Sequence, residues 1–186
     1  PTGTGKTEAL LLWAGDTERL LYLLPTQATT NAMWQRLRKI YSEDAVALAH
    51  GRASYVLRRE SDEDPLDARL FGSVFAKPVT VATLDQYLLA HLHGRHWEER
   101  RTLARRATVV LDEIHAYEPY TLGLLLEALQ REPPARLALA SATLPEPILD
   151  LFPRGTLIEA EPELWQRTRH RIELREGSLL EEGPEE

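Results

Sequence analysis

PTGTGKTEALLLW (1–13) opens the chain and predicts a phosphate-binding turn that runs into a helix over 5–14. Glycines in this pattern allow a tight turn whose backbone N–H groups surround phosphate oxygens. Lys6 is placed to reach the β- and γ-phosphates of a nucleotide and is a candidate catalytic residue, and the Thr7 hydroxyl is placed to bind Mg²⁺. The candidate nucleotide-binding residues are Thr2, Gly3, Thr4, Gly5, Lys6 and Thr7. A helix that begins here points its positive end at the same anions.

The rest of the chain alternates short apolar runs with helical patterns. The predicted strands are 19–24, 46–49, 79–82, 108–111, 136–140 and 156–158. The predicted helices are 5–14, 26–41, 84–92 and 120–130, and the acidic, proline-broken stretch 58–67 is predicted as a loop. Strands that alternate with helices need parallel crossovers. The fold class is therefore α/β with a doubly wound, mostly parallel sheet. Residues 1–158 form the predicted domain, and residues 159–186 are predicted as an acidic linker or the start of a segment absent from this sequence.

Some side chains receive plain structural interpretations. Trp13 and Trp34 fall within helical patterns and are expected in the core. A cluster of arginines is expected on a solvated helix face. Its members are Arg100, Arg101, Arg105 and Arg106.

VVLDEIHAY (109–117) places an acidic pair at the end of a buried strand. Asp112 suits a Mg²⁺ contact, and Glu113 is then placed to position or deprotonate an attacking water. Such a pair is often only a solvated turn, but the phosphate loop upstream favours the catalytic interpretation. In LASATLP (139–145), Ser141 and Thr143 lie at another strand end, close enough to hydrogen-bond the acidic pair or His115.

The polar clusters share one location in the predicted fold. Each follows a strand or opens a helix, and ligands of open α/β sheets bind outside the carboxyl ends of the strands. The clusters are 1–7, 25–27, 83–86, 112–115 and 141–143. We therefore expect a single composite site along one edge of the sheet.

Composition sets few further limits. The 186 residues carry a net charge of −7, which argues at first against a nucleic-acid partner. However, nine acidic residues and only four arginines lie from Glu159 onward, so most of the acidity belongs to the tail. Cysteine is absent, which excludes disulfides and suits a cytoplasmic protein. No apolar run approaches the eighteen or so residues of a membrane span, so no membrane partner is expected.

The order PTGTGKT, DEIH and SAT is the pattern of superfamily 2 helicases and translocases. LPTQATTNAMWQRL (24–37), VATLDQYLLAHL (81–92) and the residues after DEIH further resemble the CRISPR-associated helicase of type I interference systems. The resemblance implies a RecA-like lobe that binds ATP and Mg²⁺, with His115, Ser141 and Thr143 coupling hydrolysis to movement. It also implies contacts with single-stranded DNA, from Pro25, Thr26, Gln27, Thr83 and Asp85.

The same resemblance implies partners outside this sequence. The family carries a second motor lobe, usually an HD-type nuclease domain, and is recruited by a guide-RNA surveillance complex. We expect the chain to be a fragment truncated within the phosphate loop, nearly inactive and aggregation-prone alone. Two alternatives stay open: another superfamily 2 RNA or DNA helicase or restriction translocase, and a non-catalytic nucleotide-gated binding module.

Overall fold

The computed structural model describes residues 5–60, 65–143, 146–152 and 155–159. Five strands pair in parallel in a single sheet of order β2-β3-β1-β4-β5. They are β1 (Leu20–Leu24), β2 (Val46–Ala49), β3 (Val79–Thr83), β4 (Thr108–Leu111) and β5 (Arg136–Leu139). The predicted α/β class with a parallel sheet is confirmed.

Helices connect the strands and cover both faces of the sheet. They are α1 (Lys6–Ala14), α2 (Gln27–Ile40), α3 (Ala53–Glu60), α4 (Pro65–Ser73), α5 (Leu84–His91), α6 (Trp97–Arg105), α7 (Pro119–Arg131) and α8 (Glu146–Leu149). Single 3₁₀ turns lie at Glu43–Ala45 and Ile114–Ala116. The Thr26 side chain caps α2 by accepting the backbone N–H of Thr29, and Pro119 begins α7, where its missing N–H costs nothing. None of the described helices is long and apolar enough to cross a membrane.

Alternation along β1 divides the core into two layers. Leu21 and Leu23 pack with residues of α5 and α7 on one face, whereas Leu20, Tyr22 and Leu24 pack with residues of α1 to α4 on the other. β1 to β4 are buried at every position, as expected for parallel strands covered on both sides. β5 pairs only with β4 among the described strands, and its residues are partly exposed.

Arg136 ties the end of α1 to the edge of the sheet. Its guanidinium donates to the carbonyl oxygens of Trp13 at 2.7 Å and Ala14 at 3.1 Å, and it lies 4.2 Å from the centre of the Trp13 ring. The prediction of a core tryptophan is confirmed for Trp34, which is 1% exposed, and wrong for Trp13, which is 39% exposed. Trp13 packs beneath the Arg136 guanidinium instead of inside the core, because this arginine of β5 covers its ring.

The prediction of a loop over 58–67 is wrong at both of its ends. α3 continues to Glu60 and α4 begins at Pro65, while 61–64 lie outside the described residues. Pro65 starts a helix instead of breaking one, because the first helical position tolerates proline. The basic residues Arg58 and Arg59 occupy the last turn of α3, where they suit the negative end of the helix dipole.

Two further expectations need correction. Residues 155–159 form no strand, and Ile158 is 86% exposed, because no described strand lies beside it to complete a ladder. Arg100 is only 4% exposed: its guanidinium donates to the Gln86 carbonyl at 2.8 Å and joins α6 to α5, so it does not lie on a solvated face. Of the predicted linker 159–186, all but Glu159 lies outside the described residues, and the domain division stays a prediction.

Two helical glycines provide a matched test of the packing. A Cβ at Gly72 in α4 would lie 2.5 Å from the Leu48 carbonyl oxygen in β2, whereas a Cβ at Gly123 in α7 meets nothing within 4 Å. We expect Gly72→Ala to lower the free energy of unfolding by about 1–3 kcal/mol through overpacking. We expect Gly123→Ala to raise it by up to about 1 kcal/mol through helix propensity. Thermal or urea denaturation of both variants measures this, and equal effects would contradict the α4–β2 contact.

Candidate nucleotide and nucleic-acid site

The carboxyl ends of the strands bring the predicted clusters to one edge. In the register of the sheet, Leu24 of β1 lies beside Thr83 of β3, and Leu23 lies beside Leu111 of β4. Backbone bonds extend this alignment past β4: the Asp112 N–H donates to the Leu23 carbonyl at 2.9 Å. The four clusters that lie within the described residues therefore share one edge, together with the part of the phosphate loop that begins at Gly5. Thr2, Gly3 and Thr4 lie outside the described residues.

Asp112 is a buried carboxylate, 6% exposed, and each of its oxygens accepts a hydrogen bond. Oδ2 accepts the Tyr22 hydroxyl at 2.7 Å, and Oδ1 accepts the Glu113 backbone N–H at 2.8 Å. Burial, followed by the charge of Asp112, raises the pKa of Tyr22, so its phenol stays a donor. Because a carboxylate oxygen carries two lone pairs, each oxygen of Asp112 still has one for a cation.

Glu113 adopts an unusual backbone conformation beside Asp112. Its φ of 53° and ψ of 45° place it in the left-handed region, which costs a residue with a Cβ about 1–2 kcal/mol. Its carboxylate lies between two cations or potential cations: Oε1 is 3.8 Å from Lys6 Nζ, and Oε2 is 3.3 Å from His115 Nδ1. Strain of this kind concentrates at functional sites, and here it aims the side chain at the start of α1.

Lys6 begins α1 and carries an ammonium group without a hydrogen-bond acceptor among the described residues. The 3.8 Å separation from Glu113 is an ion-pair distance but is too long for a hydrogen bond. Gly5, which precedes it, has a φ of 79°, a conformation that suits glycine at a phosphate-binding turn. A buried cation with unused donors at a helix N-terminus fits a bound phosphate.

His115 connects the acidic pair to the end of β5. Its Nδ1 lies 2.8 Å from Ser141 Oγ, and the Ser141 hydroxyl donates to the Thr143 carbonyl at 2.6 Å. Since Ser141 has a single hydroxyl proton, its oxygen accepts from His115, and the imidazole proton sits on Nδ1. Of the two partners left open for Ser141, the acidic pair and His115, the structure shows a hydrogen bond to His115. Thr143 takes part through its backbone carbonyl.

The residues predicted to contact nucleic acid lie at the ends of β1 and β3. Thr26 and Gln27 are exposed at the start of α2, and Pro25 is half-buried before them. Asp85 is exposed and accepts a hydrogen bond from the Gln86 amide at 2.9 Å. Thr83, in contrast, is 3% exposed, and its hydroxyl has no hydrogen-bond partner among the described residues.

The described residues fit a nucleotide and Mg²⁺. Lys6 offers donors that no acceptor among the described residues takes, while Thr7 and Asp112 offer the hydroxyl and carboxylate oxygens that Mg²⁺ prefers. Within the described ranges, no three histidine, cysteine or acidic side chains gather into a metal-binding group. Mg²⁺ commonly takes one or two protein carboxylates and completes its shell with phosphates and water.

Sequence reasoning missed several polar side chains that support this edge. The first is Tyr22, whose signal in the sequence is a phenol in an otherwise aliphatic strand. Tyr117 donates to the carbonyls of Leu23 and Asp112, both at 3.4 Å. At the end of β2, His50 Nδ1 accepts the Arg52 N–H at 3.1 Å, which leaves the proton on Nε2 to bond Asn31 Oδ1 at 2.8 Å. Burial lowers the pKa of His50, in keeping with this neutral form.

Comparison with known proteins gives this geometry a family. A profile of the DEAD/DEAH box helicase family matches residues 1–151. The putative CRISPR-associated nuclease/helicase Cas3 of Methanocaldococcus jannaschii is 38% identical over 141 residues, which are 68% of this chain and 19% of that protein. The chain spans about a fifth of the length of the curated relatives it matches.

Solved structures agree with the sequence relatives. The crystal structure of T. fusca Cas3 with AMPPNP matches with a TM-score of 0.66 and 32% identity, over 81% of this chain and 19% of that one. A chain of a pre-nicking CRISPR RNA-guided surveillance complex matches with a TM-score of 0.55 and 30% identity, over 81% of this chain and 16% of that one. The chain therefore belongs to the DEAD/DEAH box helicase family and is homologous to the CRISPR-associated nuclease/helicase Cas3.

Proposed function

We propose that this chain is the first motor lobe of an ATP-dependent DNA helicase of type I CRISPR interference. In the intact enzyme it would bind ATP–Mg²⁺ and single-stranded DNA and couple hydrolysis to unwinding of target DNA. The observation that carries the proposal is the cluster around Glu113, whose carboxylate lies within 4 Å of both Lys6 and His115. A second lobe, an HD nuclease domain, a guide-RNA surveillance complex as partner and a cytoplasmic location belong to the same proposal.

Each group of the cluster has a role that its contacts support. Lys6, with Gly5 and Thr7, would hold the phosphates, since its ammonium has no acceptor among the described side chains. Thr7 and Asp112 would hold Mg²⁺, which when bound neutralises charge on the phosphates. Glu113 would orient a water and accept its proton, and its partly exposed carboxylate lies 3.8 Å from Lys6 Nζ and 3.3 Å from His115 Nδ1.

The link from His115 to Ser141 supports a coupling role. Ser141 and Thr143 lie at the end of β5, and His115 lies after β4, so their hydrogen bond joins two strand ends across the nucleotide cluster. Because His115 lies beside Glu113, a change in the charge near Glu113 would first affect the hydrogen bond between His115 and Ser141. On the other side of β1, the exposed helix start at Thr26 and Gln27 and the exposed Asp85 are proposed to contact single-stranded DNA, with the buried Thr83 beneath them.

Hydrolysis stimulated by DNA is the direct test. In the intact protein we expect ATPase activity to rise with single-stranded DNA. We expect Glu113→Gln to reduce it by about 10²-fold or more because the general base is lost, while nucleotide binding changes by less than about threefold. Glu118→Gln, an exposed glutamate outside the cluster, is the control. Turnover that ignores DNA would support a nucleotide-gated binding module instead, and stimulation by RNA alone would support an RNA helicase.

The backbone of Glu113 gives a second prediction, on stability. We expect Glu113→Gly to raise the free energy of unfolding by about 1 kcal/mol, because glycine adopts a φ of 53° without strain, and to abolish hydrolysis. Glu118 has a φ of −67°, so Glu118→Gly should lower stability by about 0.5 kcal/mol. Urea denaturation of both variants checks the difference. Loss of stability in Glu113→Gly would mean that the ion pairs outweigh the strain.

Ser141 allows coupling to be tested apart from hydrolysis. We expect Ser141→Ala to keep basal ATPase within about threefold and to lower the stimulation by single-stranded DNA by about tenfold, because His115 loses its acceptor. Ser73→Ala removes a hydroxyl that donates to the Leu70 carbonyl within α4 and is the matched control. An equal loss of basal and stimulated rates would assign Ser141 to hydrolysis itself.

A further inference from the structure

Tyr22 stands out among the buried side chains that the proposed function does not use. It is the single polar side chain of β1, whose other residues are leucines, and it is fully buried. Its register partner in β4 is Val110, two residues before Asp112. Residues two apart on a strand share a face, so the long phenol reaches along that face to the strand end. Its hydroxyl donates to Asp112 Oδ2 at 2.7 Å.

The partner of this hydroxyl distinguishes Tyr22 from an ordinary core tyrosine. The Tyr117 hydroxyl lies nearby, but it bonds backbone carbonyls at 3.4 Å. Tyr22 makes a shorter bond to a side chain that can rotate. Together with the Glu113 N–H on Oδ1, it holds both oxygens of the Asp112 carboxylate and so sets the plane of the group.

We propose that Tyr22 is a positioning residue that orients Asp112 for Mg²⁺. The inference rests on the proposed function, since it takes Asp112 as a metal ligand. Groups that hold metal ligands in place commonly matter about 10–100-fold for metal affinity. The effect of Tyr22 should therefore appear in the affinity for the metal more than in the affinity for the nucleotide.

The test compares nucleotide binding with and without metal in the intact protein. Affinity for a fluorescent ADP analogue is measured in EDTA and across a Mg²⁺ titration, and Mn²⁺ binding in the presence of ADP is measured by electron paramagnetic resonance. We expect Tyr22→Phe to keep the affinity in EDTA within about twofold and to weaken apparent Mg²⁺ and Mn²⁺ affinity by about tenfold or more. Should the phenylalanine variant not fold, Tyr22→Leu matches the neighbouring leucines and removes the same hydroxyl.

Two reference variants separate the outcomes. Tyr87→Phe removes a buried phenol hydroxyl from α5, on the other face of the sheet, and should change neither affinity. Asp112→Asn should lose metal affinity. If Tyr22→Phe keeps metal affinity within twofold while Asp112→Asn loses it, this inference is overturned and the proposed function stands. If Asp112→Asn also keeps it, both are overturned. An equal loss of affinity with and without metal would assign Tyr22 to the fold of the site and overturn the inference.

Discussion

The parallel ladder between β1 and β4 is the contact on which the candidate site depends. It pairs Leu20 through Leu23 with Thr108 through Leu111, and the Asp112 N–H extends it by one bond to the Leu23 carbonyl. Residues from distant parts of the chain reach the sheet edge together because both strands run in the same direction and end at the same level. A register shift of one residue would move Tyr22 to the opposite face and break its bond to Asp112.

Charge at this edge is balanced by a small number of groups. Asp112 and Glu113 are adjacent carboxylates, and such a pair repels itself unless donors and cations compensate. Tyr22 and the Glu113 N–H solvate Asp112, whereas Lys6 and His115 lie near Glu113. The left-handed backbone at Glu113 separates the two side chains: one turns into the sheet and the other toward α1. The strain is the consequence of giving neighbouring carboxylates different surroundings.

Sequence patterns predicted the features that depend on local chemistry. The strands 46–49 and 108–111 agree with the structure residue for residue, since an apolar run this short suits a buried strand better than a helix. The hydrogen bond between His115 and Ser141 was among the predicted contacts because both residues were placed at strand ends. The loop predicted over 58–67 failed because Pro65 can begin a helix as well as end one. The strand predicted over 156–158 failed because a strand needs a neighbour, and no local pattern reveals whether one is present.

The residues that hold the site in place could not be predicted from the sequence for a different reason. The interpretation of its strand as apolar concealed the polar role of Tyr22. Its hydroxyl reaches Asp112 because Val110 is its register partner, and that register depends on strand order. Arg100 belongs to the same run of arginines as its more exposed neighbours, but its guanidinium faces α5. The packing of α5 against α6 decides which side of α6 is covered. Groups that touch a ligand directly belong to short motifs that can be recognised in a sequence. Groups that hold them in place are scattered, since any element that packs nearby can supply the hydroxyl or the charge.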